Sequence, residues 1–518
     1  MKAVKSSIQS TLYTCFLVLF LFSCKESRVF SSSTCLNCHS QTSSIHTPEI
    51  NCSSCHLGDE KITEKEEAHK GMVVIPGNLD AKSNTCANCH PSQTHTILHS
   101  PMTRNKAMIE KNRRVFGEAN KTEGLNSLKP EHSAADSYFA GMCASCHLGI
   151  SKTSFGMFAA YEKGGGCLAC HLSENGEEHL RINRYPTDET CFNCHSRSGR
   201  ISLSYKGLFE LTNPEETDIP FSLPDGRVTY KQKADLHYEA GLSCIDCHGK
   251  EDVMGDGKSE TKTEAVKARC TDCHKKDREF KITLKHKNKV IFVNAYKQHS
   301  GHDTEHDKLS CETCHSQKAP QCYGCHISYE PEFKSYNHLT EKMEKGKWIE
   351  EFGEYRSELP VLGKTKDGII RPFVPGMKLS IDTSKFYKKS KPLIKENLFS
   401  PLSPHTSSKS RTCKSCHQSP YALGYGSGKF QFDKPNPVFR PDYALDKEEI
   451  AEDGWIKPFQ ALTPNKLYST ADGGRPLNPN EQRRILQVGS CFRCHKEESE
   501  IFQNWEKSKN YQHLLKNK

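Results

Sequence analysis

Twelve copies of the pattern Cys-x-x-Cys-His run through this chain of 518 residues, and they take 24 of its 26 cysteines. The cysteine pairs are Cys35 and Cys38, Cys52 and Cys55, Cys86 and Cys89, Cys143 and Cys146, Cys167 and Cys170, and Cys191 and Cys194. They continue with Cys244 and Cys247, Cys270 and Cys273, Cys311 and Cys314, Cys322 and Cys325, Cys413 and Cys416, and Cys491 and Cys494. The histidines that follow them are His39, His56, His90, His147, His171, His195, His248, His274, His315, His326, His417 and His495. Two thiols at this spacing can each add to one vinyl group of a single porphyrin, and the next residue then lies beneath the iron. The pattern is therefore the attachment signature of c-type haem, with the histidine as proximal ligand. Zinc knuckles and redox disulfides also use Cys-x-x-Cys, but neither needs a histidine directly afterwards. Chance would supply one in about one copy in twenty, whereas every copy here has it. About twelve covalently bound haems are expected.

The first residues read as an export signal, with Lys2 and Lys5 ahead of the apolar run Leu12–Phe22. That run is too short to span a bilayer as a helix. It ends Leu21-Phe22-Ser23-Cys24, which resembles a bacterial lipobox whose cysteine becomes the acylated first residue. Phe22 departs from the usual residue there, and an ordinary cleaved signal with a spare cysteine is the alternative. Cys15 would leave with the signal, Cys24 would take lipid and the remaining cysteines would take haem, leaving no free thiol to oxidise outside the cytoplasm. The expected product is exported and lipid-anchored to a bacterial membrane, facing the periplasm or the cell surface.

The formal charge of +9 does not point to nucleic acid. Each ferric haem brings two propionates against one net positive charge, so twelve of them add roughly −12 and offset the lysines. Only 35% of residues are apolar, low for a conventional core of this size, and the flat faces of the porphyrins are expected to make up the deficit. These points predict a mainly α fold with much irregular structure, a haem-packed core and little sheet.

The interval between successive first cysteines varies from 11 residues, Cys311 to Cys322, to 91, Cys322 to Cys413, which excludes a solenoid of identical repeats. The expected organisation is a lipoprotein signal over 1–23, a tether over 24–34, a haem-dense region over 35–330 with ten motifs, and a region over 331–518 with two. In that last region Gly368–Gly376 reads as a short strand or extended arm, and Glu497–Leu515 as a closing helix. Gly164, Gly165 and Gly166 precede Cys167 directly and suit close approach to a porphyrin rather than phosphate binding. No catalytic triad or nucleotide fingerprint stands out.

Fourteen further histidines match the twelve distal positions that six-coordinate irons would need. The distal candidates are His46, His69, His95, His99, His132, His179, His237, His286, His299, His302, His306, His338 and His405, with His513 the weakest of the set. His299, His302 and His306 have spacings that a helix would place on one face, where a zinc site is the competing reading. Methionines such as Met72, Met102, Met108 and Met142 are possible ligands that the supply of histidine makes unnecessary.

Strings such as His237-Tyr-Glu-Ala-Gly-Leu-Ser-Cys244-Ile-Asp-Cys247-His248, and the run from Cys311 through His326, are similar to those of multihaem c-type cytochromes of bacterial respiration, the group that includes hydroxylamine-oxidoreductase-like cytochromes. The resemblance covers residues 35–326, and reaches 327–518 only through two motifs. It implies electron transfer in anaerobic or extracellular respiration through mostly bis-His haems. The implied partners are quinol-linked or outer-membrane redox proteins, with a small-molecule or extracellular acceptor as a further option. The competing class is a multihaem oxidoreductase acting on a small nitrogen or sulfur compound, of hydroxylamine or tetrathionate type, at one five-coordinate haem. A pentahaem nitrite reductase would predict a Cys-x-x-Cys-Lys site, and all twelve motifs end in histidine.

Overall fold

From Ile327 to Glu330 apolar and polar residues alternate, the period of a half-buried strand. That stretch lies in a long hairpin, β1 (Ala319–Asn337) and β2 (Lys342–Glu358). Tyr329 faces Trp348 across the pair, with ring centroids 5.0 Å apart, and Glu330 faces Lys347. Both are cross-strand pairings that stabilise an antiparallel ladder. The Asn337 side chain closes the turn by accepting from the Leu339 N–H at 2.9 Å. Four more strands complete the sheet: β3 (Val361–Lys364), β4 (Ile370–Asp382), β5 (Ile394–Pro401) and β6 (Arg475–Pro476). The order is β6-β3-β4-β1-β2, with β5 also on β4. The hub is β4: its first residues pair with β3, Phe373–Ile381 pair with β5, and Leu379–Asp382 run parallel to Cys325–Ser328.

This computed structural model describes residues 35–39, 50–118, 122–152, 165–173, 181–196, 201–211, 220–223, 226–258, 265–275, 278–296, 302, 306–433, 437–443, 454–456, 462 and 467–503. The chain forms two compact units, one of Met1–Val73 with Gly176–His179, the other of Val74–Asn175 with Leu180–Lys518. Among the described residues no helix is long and apolar enough to cross a membrane. The proposed signal, tether and Cys24, together with His46, His179, His299 and His513, lie outside the described residues.

The expectation of a mainly α fold with little sheet is overturned by the six-stranded mixed sheet. Its strands were hard to read because Pro331, Pro372 and Pro375 interrupt them and a haem motif sits inside β1. Proline is a signal against central strands, and it is accommodated here where the β1–β2 register shifts, between Glu330 and Lys334, and beside the β4 bulge at Pro375–Met377. Within the stretch Gly368–Gly376, β4 begins at Ile370.

Ordinary hydrophobic cores flank the sheet. Ile327, Trp348, Ile381 and Leu398 pack with Val115 and Phe116 at the end of helix α1 (Lys106–Val115), and with Ala134 and Ala135 of α2 (Ala134–Tyr138). A bidentate pair at 2.7 Å, Arg113 Nε and Nη2 on the Asp136 carboxylate, clamps α1 to α2, and Asp136 is only 1% exposed. On the other side Trp455 lies between Phe373 and Phe399, its ring centroid 4.8 Å from each. Helix α3 (Pro479–Cys491) begins with a capping box of Asn478 and Glu481, and with Pro479 at its start. Glu481 also takes Arg475 and Lys364, tying α3 to β6 and β3.

Candidate haem-ligand pairs

Most motifs sit on single turns of helix, among them Cys35–Cys38, Cys52–His56, Cys244–Cys247, Cys270–Cys273, Cys311–His315 and Lys414–His417. Helices this short are unstable alone, so capping and tertiary contacts must hold them. Ser243 and Asp246 form a capping box on the seventh motif, and the Cys244 N–H donates to Asp188 at 2.9 Å.

The second cysteine of a motif follows the turn that the first one opens. Cys55 lies inside the helical turn Cys52–His56 and is half-buried. Cys89 ends a tighter turn, its N–H donating to the Cys86 carbonyl at 3.2 Å, and Cys494 does the same with the Cys491 carbonyl at 3.1 Å. Both Cys89 and Cys494 are exposed. None of the described cysteines is in a disulfide.

Five motif histidines each face a second imidazole at nearly the same separation. The ring centroids of His39 and His69 are 6.1 Å apart, those of His274 and His237 6.0 Å, those of His248 and His405 6.2 Å, those of His315 and His302 6.4 Å, and those of His417 and His306 6.2 Å. An imidazole nitrogen binds a first-row metal at about 2 Å, so two imidazoles on opposite sides of one iron have centroids roughly 6 Å apart. The interplanar angles range from 15° to 89°. Such scatter fits coordination, since turning a ring about the metal–nitrogen axis leaves the separation unchanged. By contrast His95 and His99 lie 4.5 Å apart, in direct ring contact, with His95 exposed and His99 half-buried.

The second ring nitrogen supports the same assignment. A metal-ligating histidine donates its other N–H to a carbonyl or carboxylate, which fixes the tautomer and aims the free nitrogen at the metal. Nδ1 of His56 meets the Val73 carbonyl and Nδ1 of His171 the Asn183 carbonyl, both at 2.8 Å. His417 meets Ile485 at 2.9 Å, and His315 meets Ser408 at 3.2 Å. Among the distal candidates, Nδ1 of His69 meets the Lys65 carbonyl, that of His405 the Ser403 carbonyl, and that of His237 the Asp235 carboxylate, each at 2.8 Å. His286 is arranged the other way round, with Nε2 on the Pro186 carbonyl at 3.0 Å.

Asp235 escaped notice in the sequence. It is 1% exposed, and besides His237 it accepts from the Ser407 N–H at 2.6 Å, which ties together the segments bearing His237 and His405. Burial works to raise its pKa, but the bonds from His237 and Ser407 prevail and hold the carboxyl below its ordinary value. Its only sequence signal was its place as the capping residue before Leu236–Glu239. Asp252 does the same for His248, at 3.2 Å, and also accepts from the Lys267 and Ala268 N–H groups.

The remaining sequence candidates are placed as follows. His302 and His306 face different motifs and not a common centre. His132 is exposed, and His338 is buried with its ring 5.1 Å from that of Tyr336. His326 lies on β1, where Cys325 pairs with Phe352 and Leu379, and its Nδ1 meets the Ser380 hydroxyl.

Motifs also meet one another through space, and out of sequence order. Thiols of Cys86 and Cys167 lie side by side, as do those of Cys191 and Cys244 and those of Cys270 and Cys311. Cys170 is near Cys191, Cys247 near Cys273, and Cys314 near Cys416. At the far end a Cβ on Gly489 would collide with the His417 carbonyl, so glycine there lets α3 press the twelfth motif, Cys491 to Cys494, against the eleventh. The resulting line runs from the third motif to the fifth, then the sixth to ninth, the eleventh and the twelfth. In the smaller unit Cys35 and Cys52 are neighbours in the same way.

No curated protein and no solved structure matches the chain. Residues 236–341 match the family model described as cytochrome c3. These residues contain four of the motifs and three of the histidines that face a motif histidine, His237, His302 and His306. On that match and this geometry, the region is that of a multihaem c-type cytochrome, which binds haem covalently and transfers electrons.

Proposed function

We propose that the whole chain is an electron conduit, carrying about twelve c-type haems of mostly bis-His ligation and held outside the cytoplasm by a lipid on Cys24. The observation that carries this reading is the set of five imidazole pairs at 6.0–6.4 Å. An iron closed on both sides has no position for substrate, so its chemistry is confined to exchanging electrons with neighbours. Low-potential bis-His haems suit quinol-linked donors and outer-membrane cytochromes or extracellular acceptors. The haems supply the redox change. The chain's own residues fix the order of neighbours, orient the imidazoles through Asp235, Asp252 and backbone carbonyls, and keep the thioether edges together. Quantifying covalent haem against protein mass tests the reading: about twelve per chain is expected, and fewer than ten would overturn it. Ferric spectra should be overwhelmingly low-spin. Processing at Cys24 blocked by a lipoprotein signal-peptidase inhibitor would support the anchor, and a soluble mature protein would refute it.

A further inference from the structure

Among the described residues neither His95 nor His99 is paired with a motif histidine, and the two rings meet each other in a different geometry. An imidazole nitrogen binds a first-row metal at about 2 Å with the ring centre roughly 1.2 Å behind it, so each centroid stands roughly 3.2 Å from the ion. Two rings on opposite sides of one ion are then roughly 6 Å apart, and the five pairs described above run from 6.0 to 6.4 Å. Two rings at a right angle about one ion are instead roughly 4.5 Å apart. The His95 and His99 centroids are 4.5 Å apart, with the rings tilted by 42°. Haem iron cannot be the ion between such a pair, because the porphyrin fills the four positions at right angles to an axial ligand.

Local sequence produces this arrangement. Pro91 opens a helix, Pro91–Leu98, directly after His90 of the third motif, and His99 caps its end. Thr94 and Ile97 take the buried side, and the four-residue spacing puts His95 and His99 on one outer face, a turn apart. Nδ1 of His99 donates to the His95 carbonyl at 2.8 Å, which fixes the tautomer and leaves Nε2 as the ligand atom. His95 is exposed, and its ring nitrogens make no hydrogen bond among the described residues.

The turn Gly255–Gly257 passes alongside. A Cβ on Gly255 would meet Ser100 Cβ at 3.0 Å, and one on Gly257 would lie 3.5 Å from His95 Nε2. Both glycines have left-handed backbone, φ +81° and +78°, so the turn follows the helix with no side chain over the imidazole at Gly257. The space beside Nε2 is thus left to an ion and its water. Nitrogen ligands at a right angle suit nickel or copper(II), with water in the other positions, whereas tetrahedral zinc would hold the two rings roughly 5.2 Å apart.

We propose that His95 and His99 together hold a divalent transition-metal ion of the nickel or copper(II) class through their Nε2 atoms. The site is separate from the haems and goes beyond the conduit reading: it lies just after the third motif, where the line of neighbouring motifs begins. The test titrates Ni²⁺ into untagged, haem-loaded ferric protein, with calorimetry for affinity and metal analysis for stoichiometry. One Ni²⁺ should bind per chain, more tightly than Zn²⁺. His95→Ala and His99→Ala should each weaken that binding at least roughly tenfold, since either removes one of two protein ligands, while haem content and the ferric spectrum stay as in the wild type. Absence of Ni²⁺ uptake by the wild type, or uptake unchanged in both variants, would overturn the inference. Loss of a low-spin haem signal in either variant would overturn it as well, because that histidine would then be a haem ligand. A preference for Zn²⁺ over Ni²⁺ would contradict the right-angle geometry on which the assignment stands. A haem count below ten would overturn the conduit reading and leave this site standing.

Discussion

The sheet and the haem line are held together by different physics. Around β1–β6 the interior is made of side chains: Trp348, Trp455, Phe373 and Phe399 are all under 5% exposed, and long ladders satisfy the backbone. Along the motifs from Cys244 to His315 the elements are single turns and short hairpins, and few large apolar side chains are buried, Leu242, Ile245 and Leu284 among them. The sheet therefore has a side-chain interior of its own, whereas the motif turns would depend on the haems proposed for them.

The largest effect that would sharpen this contrast is loss of haem attachment. In chain produced without haem, amides of the turns at Cys244–Cys247 and Cys270–Cys273 should exchange at nearly unprotected rates, while those of β4 and β5 stay protected. Peptide-resolved hydrogen exchange reads both at once. Equal protection in the two regions would break the comparison. Next in size is Trp455→Ala, which empties the space between Phe373 and Phe399. The free energy of local opening at β3–β5 should fall by about 3 to 5 kcal/mol, with the haem spectrum unmoved. A spectral change would mean that the two regions are energetically one.

Asp235→Asn probes the haem line alone. On the proposed ligation the buried carboxylate would make His237 a stronger donor to iron, so replacing it should destabilise the ferric form and raise one haem potential by on the order of 60 mV, equivalent to a tenfold change in relative affinity. A spectroelectrochemical titration should show one component moving while the rest hold. If none moves, His237 does not ligate iron.

The two regions also differed in how far they could be read from the sequence. Haem attachment was legible because covalent chemistry fixes the spacing of Cys, Cys and His locally. Histidines outside the motifs stood out as a group, but which motif histidine each would face did not: His405 lies far along the chain from His248, and His306 reaches past the ninth motif to His417. Pairing of that kind depends on tertiary geometry that no local pattern records. The sheet was missed because its prolines and the motif within β1 broke the period-two pattern, and the density of one-turn haem helices suggested an α fold. Asp235 and Asp252 act through buried hydrogen bonds, for which an acidic residue in a polar sequence gives almost no signal.

The smallest effect concerns acid and the sheet's edge. Burial acts to raise the Glu481 pKa, but bonds from Arg475, the Asn478 N–H and Lys364 outweigh it and bring the carboxyl down to about 2, from an ordinary 4.5. A carboxylate with a depressed folded-state pKa stabilises the fold fully above the unfolded value, and that contribution is lost as pH falls through the folded value. The wild-type chain should therefore lose part of its stability between about pH 4.5 and pH 2 as Glu481 takes a proton. Glu481→Gln should already lack that part at pH 6 and should show a shallower acid slope. Thermal midpoints at pH 6 and pH 3 give the comparison: the gap between the two proteins should narrow on acidification. Because Glu481 joins α3 to β3 and β6, and α3 carries the twelfth motif, the narrowing should appear in exchange at both β3 and the turn from Cys491 to Cys494. Confinement to the sheet would mean that α3 holds its haem without help from this edge.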